Sequence, residues 1–316
     1  MGRVIIVGAG IAGVTCAREL LQAGHEVDLR ERAMAVGGRM ASPQIEGRRV
    51  DIGASYFTAS DPDFSRQVQD WCTRGLARRW TDRFPQLTDG GFKELAPGPW
   101  RYATPDGLRS LVADLAPEAP ESTRLGEMVS RIDAGPAVDG DAADAVVLAM
   151  PDPQAERILG PGLPEVRARV ERRSWEPVIA LAANFSRRTW EPFDGAFIND
   201  HPTLRWVADD GRRRGDDAAV LVAHSTSTFA ESFLTQPAAA GPDMAEALDR
   251  LLGCGRPRSV HIHRWSFSRP AETRQESHFF GAERIGLAGD GWGAPRVETA
   301  WLSGRALGRR IAAELS

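Results

Sequence analysis

Four residues near the N-terminus have the types and the spacing that bind a dinucleotide. Gly8, Gly10 and Gly13 form a G-x-G-x-x-G motif, and Glu31 follows 18 positions after the last glycine. Glycines at these positions allow a tight turn, a close approach of the backbone to a pyrophosphate, and close packing of a helix on a strand. A carboxylate at position 31 accepts hydrogen bonds from a ribose 2′-hydroxyl and would repel a 2′-phosphate. The spacing therefore predicts a nucleotide without that phosphate.

The segments around these residues predict a βαβ unit. Residues 3–7 are an apolar strand, an amphipathic helix follows the motif and ends before Gly24, and residues 25–29 form a second strand. The helix N-terminus offers unpaired N–H groups and about half a positive charge to an anion. The motif thus lies where a strand turns into a helix, which is the context that makes it informative.

Three further segments extend the nucleotide pattern. Residues 36–40 place a glycine pair before Arg39, which suits a second approach to a pyrophosphate with guanidinium charge alongside. Residues 50–57 are predicted as a strand that runs into a turn of small residues. Residues 285–292 are predicted as a buried strand that ends in Gly-Asp, with a helix over 297–314. NAD-dependent dehydrogenases do not ordinarily need the second glycine pair, so the pattern favours FAD.

Together these motifs closely resemble the FAD-binding pattern of the glutathione-reductase-type flavoproteins, specifically the amine-oxidase-like branch. Within that branch the chain looks most like the small renalase-like FAD oxidoreductases, and the resemblance extends to residues 146–151, 204–207 and 263–267. It implies an α/β fold, in which a Rossmann-like FAD-binding domain is joined to a discontinuous second domain of antiparallel sheet plus helices. No Cys or His lies at an obvious attachment site, so we expect the FAD to be non-covalent.

The resemblance also implies cofactor-binding roles for individual residues. Glu31 would bind the adenosine ribose, and Val129, in a strand predicted over 127–132, would offer its backbone to adenine. Asp290 would bind the ribityl chain or a phosphate. The helix that begins at Val297 would direct its dipole at the pyrimidine end of the flavin. The residues implied to contact the cofactor are Gly8, Gly10, Ile11, Ala12, Gly13, Glu31, Arg32, Gly38, Arg39, Met40, Ala54, Ser55, Val129, Gly289, Asp290 and Val297.

Aromatic and histidine side chains are the candidates for catalysis. Trp206, Trp265 and Trp292 could form a planar pocket over the flavin, with core packing open as the alternative for the first two. His224 is the candidate for acid–base chemistry, and His263 is a second one. For both histidines a structural role in a strand stays open. The catalytic set is therefore Trp292, His224, Trp206 and Trp265.

The lysine count bears on the type of oxidation. Amine oxidases of this superfamily commonly place a lysine near the reactive nitrogen of the flavin. Lys93 is the only lysine in the chain, and it lies in a polar, Gly-rich segment that predicts an exposed loop. This placement disfavours an amine oxidase.

Composition sets the remaining bounds. The 316 residues are 42% hydrophobic and 26% charged, as in globular enzymes, and the net charge of −4 argues against general nucleic-acid binding. Cys16, Cys72 and Cys254 form no metal-binding or C-x-x-C spacing, so we expect no metal. The chain has no apolar run of the ~20 residues that span a membrane, and the cytoplasm is the expected location. The oligomeric state stays open.

The order of elements predicts two discontinuous domains. The expected FAD-binding domain comprises residues 1–60, 104–162 and 274–316, and the expected substrate domain comprises residues 61–103 and 163–273. Residues 133–145 are predicted to form a reduced hairpin or a loop. Residues 212–214, three arginines flanked by aspartate pairs, are predicted to be an exposed hairpin tip that a phosphate-bearing substrate could use.

These features predict an FAD-dependent oxidoreductase that takes a hydride from a small, flat, electron-rich substrate, with oxygen as the acceptor. The resemblance to renalase-like enzymes implies that this substrate is a dihydronicotinamide isomer. One alternative is an amine oxidase or a biosynthetic desaturase. Another is a flavin-binding redox module without turnover. Only one dinucleotide motif is present, which argues against disulfide reductases and two-nucleotide monooxygenases.

Overall fold

The computed structural model describes residues 1–117 and 122–316. Contacts divide the chain into two units, and both are discontinuous in sequence. The first unit comprises Met1–Met40, Leu111–Trp175 and Arg269–Ser316, and the second comprises Ala41–Ser110 and Glu176–Ser268. One unit is built on a mainly parallel sheet and the other on a mainly antiparallel sheet, which confirms the expected α/β class.

The strands are short in the first half of the chain and longer in the second half. In chain order they are β1 (Arg3–Val7), β2 (Glu26–Glu31), β3 (Gln44–Ile45), β4 (Arg48–Arg49), β5 (Arg78–Thr81), β6 (Gln86–Thr88), β7 (Gly91–Lys93), β8 (Arg101–Ala103), β9 (Thr123–Leu125), β10 (Ile132–Asp133), β11 (Ala137–Val138), β12 (Asp141–Ala142), β13 (Ala145–Leu148), β14 (Trp175–Asn184), β15 (Gly195–Ile198), β16 (Leu204–Asp209), β17 (Val220–Ser225), β18 (Ser259–Pro270), β19 (Phe279–Phe280) and β20 (Ile285–Leu287).

The helices pack on both kinds of sheet. They are α1 (Ile11–Gln22), α2 (Pro62–Thr73), α3 (Arg109–Leu115), α4 (Asp152–Ile158), α5 (Pro164–Val170), α6 (Asp210–Arg214), α7 (Ser227–Glu231), α8 (Gly241–Leu252) and α9 (Val297–Leu315). The N-terminus of α2 is capped, because the Asp61 side chain accepts from the N–H groups of Asp63 and Phe64.

The first unit is organised by a six-stranded sheet in the order β19-β20-β13-β1-β2-β9. β1 is central and runs parallel to both β2 and β13, and only β19 is antiparallel to its neighbour. Apolar side chains from the central strands, among them Ile5, Val146 and Ile285, are fully buried in its core. The carboxyl ends of β1, β2, β13 and β20 therefore share one edge, where α/β sheets bind ligands.

Helix α9 packs on α1 so closely that the backbones of the two helices are in contact at two glycines. A Cβ atom at Gly304 would overlap the carbonyl oxygen of Ala12, and one at Gly308 would lie 2.9 Å from the carbonyl oxygen of Cys16. Cys16 is fully buried beneath α9, and burial raises the pKa of its thiol. The two glycines thus set how closely the first and the last long helices of the unit approach.

The segment after β9 differs from the predicted strand over residues 127–132. The chain pairs with β2 only at Thr123–Leu125 and is irregular over residues 126–131, because Gly126 adopts a positive φ of 74°. The next residues form the small antiparallel sheet β10-β11-β12. The reduced hairpin predicted for residues 133–145 is therefore present as three two-residue strands.

The second unit contains a seven-stranded sheet in the order β18-β14-β17-β16-β15-β6-β7. β14, β15, β16 and β17 pair antiparallel, whereas β6 runs parallel to β15. One face carries Leu181, Val207 and Leu221, which pack with Met244 and Leu248 of α8. The side chains of the intervening strand residues project from the opposite face of the sheet.

Two predictions about local structure in this unit are wrong. Residues 50–57 form no regular strand, although Val50 and Ile52 are buried, because the Asp51 and Ser55 carbonyls bond to the side chain of Arg213 instead of a neighbouring strand. Residues 212–214 are not an exposed tip. They belong to α6, and the side chains of Arg213 and Arg214 are buried against Asp51 and Asp210.

The contact-defined bounds also differ from the expected domain bounds. Residues 41–60 and 104–110 group with the second unit, because Asp51 accepts from the Leu108 N–H at 2.9 Å and Ser42 accepts from the Arg109 N–H at 3.1 Å. Residues 163–175 and 269–273 group with the first unit. None of the helices in the described ranges is long and apolar enough to cross a membrane.

Substitution of Gly304 by alanine tests the packing of α9 on α1. Alanine gains about 1 kcal/mol of helix propensity over glycine, but the overlap with the Ala12 carbonyl must force the helices apart. We expect Gly304→Ala to lower the free energy of unfolding by at least about 2 kcal/mol and Gly308→Ala to lower it less. Thermal unfolding of both variants measures the order. A Gly304→Ala protein as stable as the wild type would contradict the close approach.

Candidate flavin site

The dinucleotide loop is shaped by two close backbone approaches. Gly8 has a φ of 106°, and a Cβ there would lie 2.6 Å from the carbonyl oxygen of Ala149. A Cβ at Gly13 would overlap the carbonyl oxygen of Gly8, so the first turn of α1 lies directly on the end of β1. A side chain at either glycine would collide with one of these carbonyl oxygens and displace the loop that is expected to bind the pyrophosphate.

The N-terminus of α1 fits an anion. Gly10 is its N-cap and makes no side-chain cap, and the first turn contains no acidic residue, with Ile11 and Ala12 buried. The second glycine pair lies beside it, since the Gly37 N–H donates to the Ala9 carbonyl at 2.9 Å. Uncapped N–H groups flanked by glycine backbone are the arrangement that binds phosphates, so these residues fit the pyrophosphate of FAD.

The Glu31 carboxylate lies at the end of β2 and braces the loop. One oxygen accepts from the Ala9 N–H at 2.9 Å and the other from the Ala33 N–H at 2.8 Å. The Glu31 carbonyl also accepts from the Glu127 N–H at 2.9 Å, which brings the segment of Val129, itself buried, beside it. Each carboxylate oxygen keeps a second lone pair for a ribose hydroxyl. Arg32 is exposed next to this carboxylate.

Arg39 and Asp290, predicted separately as cofactor contacts, form a bidentate ion pair. The two N–H···O distances are 2.9 and 2.6 Å, and the guanidinium lies 5.1 Å from the ring centre of Trp175. Gly289 precedes Asp290 with a φ of 147°, and its N–H donates to Ser303 of α9 at 3.0 Å. The pairing fixes the direction of both side chains.

Two further predicted residues of this unit lie at the start or end of a helical segment. Met40 is buried at the end of a 3-10 turn that starts at Gly38. Val297 is the first residue of α9, whose N-cap makes no side-chain hydrogen bond. The positive end of the α9 dipole therefore lies at Val297, and its approach to the flavin stays a prediction.

A second buried ion pair supports Trp292, and the sequence analysis missed it. Arg274 donates to both carboxylate oxygens of Asp152, at 2.7 and 3.3 Å, and to the Gly291 carbonyl at 2.8 Å. Its guanidinium lies 4.2 Å from the ring centre of Trp292, and the Trp175 indole N–H donates to Asp152 at 2.9 Å. Asp152 could have been noticed, because it follows β13 at the ligand-binding edge. Arg274 carries no local signal.

In the second unit, three predicted catalytic residues share one face of the sheet. Trp206 and His224 are cross-strand partners on β16 and β17, and His224 also pairs with Ala180 of β14. Trp265 projects from β18 toward the same covering segment. The Ile52 carbonyl accepts from the Trp265 indole N–H at 2.9 Å and contacts His224 Nε2 at 3.2 Å. One irregular backbone carbonyl thus orients two of the candidates.

The His224 imidazole is neutral at physiological pH. Burial lowers its pKa to about 4, and the neighbouring Arg213 charge acts in the same direction. A carbonyl can only accept, so Nε2 carries the proton and Nδ1 keeps its lone pair. The ring centre of His263 lies 4.3 Å from that of Trp265, with the two rings tilted by 58°, and burial lowers the pKa of His263 as well.

Trp206 lies deeper than the other two candidates. It packs with Tyr56, Phe84 and Phe197 at ring-centre distances of 5.7, 4.8 and 5.1 Å, and it is 5% exposed. Its indole N–H has no hydrogen-bond partner among the described residues. This placement favours the packing role for Trp206, and a role over the flavin stays a prediction.

Ala54 and Ser55 lie three residues or fewer from the Ile52 carbonyl. Ala54 is partly exposed, whereas Ser55 is buried and its carbonyl accepts from Arg213 at 3.1 Å. The Ser55 hydroxyl has no hydrogen-bond partner within residues 1–117 and 122–316. Their contact with FAD stays a prediction.

Lys93 is exposed, as expected, but it belongs to β7 rather than a loop. β7 is an edge strand of the seven-stranded sheet, and three strands separate it from β17, which carries His224. Across the described part of the chain, no group of three or more His, Cys, Asp and Glu side chains could hold a metal ion.

Replacement of Glu31 tests the nucleotide end of the site. Glu31→Ala removes two charge-assisted hydrogen bonds to the loop and the acceptor for the ribose, each type worth about 1.5–3 kcal/mol. We expect the dissociation constant of FAD to rise at least about tenfold, measured by flavin fluorescence on apoprotein. The control is Glu26→Ala, on the same strand with a side chain 60% exposed. Equal effects of the two changes would contradict the assignment.

Comparisons with known proteins agree with this geometry. A model of NAD(P)-binding Rossmann-like domains matches residues 6–74. The chain is 24% identical to mouse renalase over 298 residues, which is 85% of each protein. Two solved structures share the fold. Cyclohexylamine oxidase from Brevibacterium oxydans has a TM-score of 0.77 at 14% identity, over 99% of both chains. A putrescine oxidase bound to putrescine has a TM-score of 0.73 at 16% identity, over 99% of this chain and 98% of the oxidase.

The family itself is given by one further match. The model of the flavin containing amine oxidoreductases matches residues 78–312, which is most of the chain. This match and the Rossmann-like match together cover residues 6–74 and 78–312. The chemistry of the glycine loops, Glu31 and the Arg39–Asp290 pair fits the pyrophosphate and ribose of FAD. The protein therefore belongs to the flavin containing amine oxidoreductase family and is an FAD-dependent oxidoreductase.

Proposed function

We propose that the protein oxidises a small, flat dihydronicotinamide-type substrate, with FAD held non-covalently and oxygen as the electron acceptor. When bound, FAD accepts a hydride from the substrate C–H bond and later passes two electrons to oxygen, which with two protons becomes hydrogen peroxide. The protein's own residues bind, orient and exclude water. We also propose that it acts in the cytoplasm.

The observation that carries this proposal is the pairing of His224 and Trp265 on the Ile52 carbonyl. Together they offer an aromatic surface beside a neutral imidazole whose Nδ1 can accept an N–H. A dihydronicotinamide has both complementary features, a flat ring and a carboxamide N–H. Neither residue needs to gain or lose a proton for hydride transfer from such a ring.

The charges near His224 disfavour a cationic substrate group beside its imidazole. The charged groups that act on its imidazole are Arg213 from α6 and Arg205 from β16. Arg205 lies 3.9 Å from Glu176 of β14, and Arg213 is paired with Asp210. Cations of this kind disfavour an ammonium ion beside the imidazole, because like charges repel in a low dielectric.

The main alternative is oxidation of an amine. The family name and the fold shared with cyclohexylamine oxidase and putrescine oxidase favour it. The only lysine of the chain, Lys93, is exposed on an edge strand, which favours the dihydronicotinamide. The similarity to mouse renalase over 85% of both chains supports the same choice through the renalase-like resemblance.

The deciding experiment is anaerobic stopped-flow absorbance of the purified yellow protein. The panel contains α-NADH, dihydronicotinamide isomers and primary amines, and flavin bleaching is followed for each compound. We expect fast bleaching by the dihydronicotinamides alone, followed on admission of air by oxygen uptake and hydrogen peroxide release. Bleaching only by amines would establish the alternative. Bleaching by no compound would overturn the proposed substrate class and leave a redox module.

The buried histidine also predicts an acid dependence of stability. The pKa of His224 is about 4 in the folded protein and about 6.5 in an unfolded chain, so the unfolded state binds more protons between these values. Stability present above pH 6.5 is therefore lost as the pH falls toward 4, by up to about 1.4 kcal/mol per pH unit.

The His224→Gln variant isolates this contribution. Glutamine keeps an N–H for the Ile52 carbonyl but does not titrate, so we expect its melting temperature to fall less than that of the wild type between pH 7 and pH 5. His263 and His278, whose pKa values burial also lowers, leave part of the fall in place. Parallel pH profiles of the two proteins would refute the buried neutral state of His224.

A further inference from the structure

Helix α6 places a fully buried guanidinium against an irregular backbone segment. The Arg213 side chain is 1% exposed and donates to the Asp51 carbonyl at 3.0 Å and the Ser55 carbonyl at 3.1 Å. It also forms an ion pair with the carboxylate of Asp210, three residues earlier. Residues 51–55 lack a strand partner, so this one side chain supplies hydrogen bonds that a sheet would otherwise provide.

The two carbonyls that Arg213 binds enclose the one that orients the candidate catalytic side chains. Ile52 lies between Asp51 and Ser55, and its own carbonyl contacts both His224 and Trp265. The backbone of residues 51–55 therefore links the hydrogen bonds of Arg213 to those of the imidazole and the indole. A shift of residues 51–55 would move the Ile52 carbonyl away from at least one of its donors.

Asp210 keeps the guanidinium in this direction. Its side chain is fully buried, and although burial opposes ionisation, Arg213, Arg214 and Arg48 hold its pKa below the usual range. Such an ion cluster costs desolvation energy and need not add stability. The fork geometry of guanidinium does permit one charge to bond two carbonyls and a carboxylate together, which an ammonium or an apolar side chain cannot reproduce.

We propose that Arg213 is a positioning residue, which acts through the Asp51 and Ser55 carbonyls to hold the Ile52 carbonyl against His224 and Trp265. In doing so it keeps His224 in the form with the proton on Nε2 and the lone pair on Nδ1. The step from this geometry to turnover rests on the proposed function. The geometry itself does not, because the tautomer of His224 exists without any substrate.

The test combines a spectroscopic and a kinetic measurement on the FAD-loaded protein. Nitrogen-15 NMR of histidine-labelled protein reports the tautomer of each ring, and the His224→Gln spectrum assigns the signal among the six histidines. We expect one Nε2–H form of His224 in the wild type and a mixture of forms in Arg213→Met and Arg213→Lys. With the dihydronicotinamide that bleaches the flavin, kcat/KM should fall at least tenfold in both variants.

The matched control is Arg188→Met. Arg188 also pairs with a buried aspartate of the second unit, Asp209, at 2.7 Å, but within the described part of the chain it makes no hydrogen bond to residues 51–55. Asp209 caps the N-terminus of α6, so this variant removes a charge beside the same helix and leaves the bonds of Arg213 to the Asp51 and Ser55 carbonyls in place. We expect its His224 signal and its kcat/KM to match those of the wild type. Arg213→Lys retains the charge and serves as a second variant if Arg213→Met does not fold. Melting curves identify any variant that fails to fold.

Each outcome separates the two proposals. An unchanged His224 tautomer in folded Arg213→Lys would overturn the positioning role, even if dihydronicotinamides reduce the flavin. A tautomer that changes equally in Arg188→Met would overturn it too, because the effect would then belong to any buried charge. A tautomer that changes only in the Arg213 variants, in a protein that dihydronicotinamides do not bleach, would support the positioning role and defeat the proposed substrate.

Discussion

The backbone-to-backbone approach of α1 and α9 is the constraint on which the nucleotide end of the protein depends. Without side chains at Gly304 and Gly308, α9 can lie on the first turn of α1. The same helix bonds the Gly289 N–H through Ser303, so its position also fixes the turn that carries Asp290. The loop after β1 and the turn after β20 are thereby set relative to each other by one helix contact, and the pairing of Arg39 with Asp290 follows from it.

The sequence predicted those parts of the site whose geometry is local. The glycine spacing, Glu31 and the Gly-Asp turn each act through neighbours in the chain. Predictions failed where the placement of a side chain depends on a partner that is distant in the sequence. The arginines of α6 were expected in solvent because charged runs usually are, yet Asp51, more than a hundred and fifty residues earlier, pairs with Arg214. The contacts of Arg274 with Asp152 span 122 residues and left no local pattern.

The candidate catalytic residues of the second unit show a further limit of prediction from sequence. Trp206, His224 and Trp265 all lie on strands, but their different environments come from what covers the sheet. Trp206 lies within an aromatic cluster, whereas His224 and Trp265 meet a backbone carbonyl from a segment that has no regular structure. Irregular backbone held by side chains is stabilised by the whole fold, so a single sequence gives little warning of it.

The exposed position of Lys93 has a practical consequence. Because every other basic residue apart from the six histidines is arginine, the chain has a single side-chain amine, and it lies at the β7 edge of the second unit. Amine-reactive dyes or surface-coupling reagents would attach there and at the chain's N-terminal amine, where that is free. A fluorophore at this position would give a uniformly tagged enzyme for single-molecule work, with the guanidinium groups of the nucleotide end left unmodified.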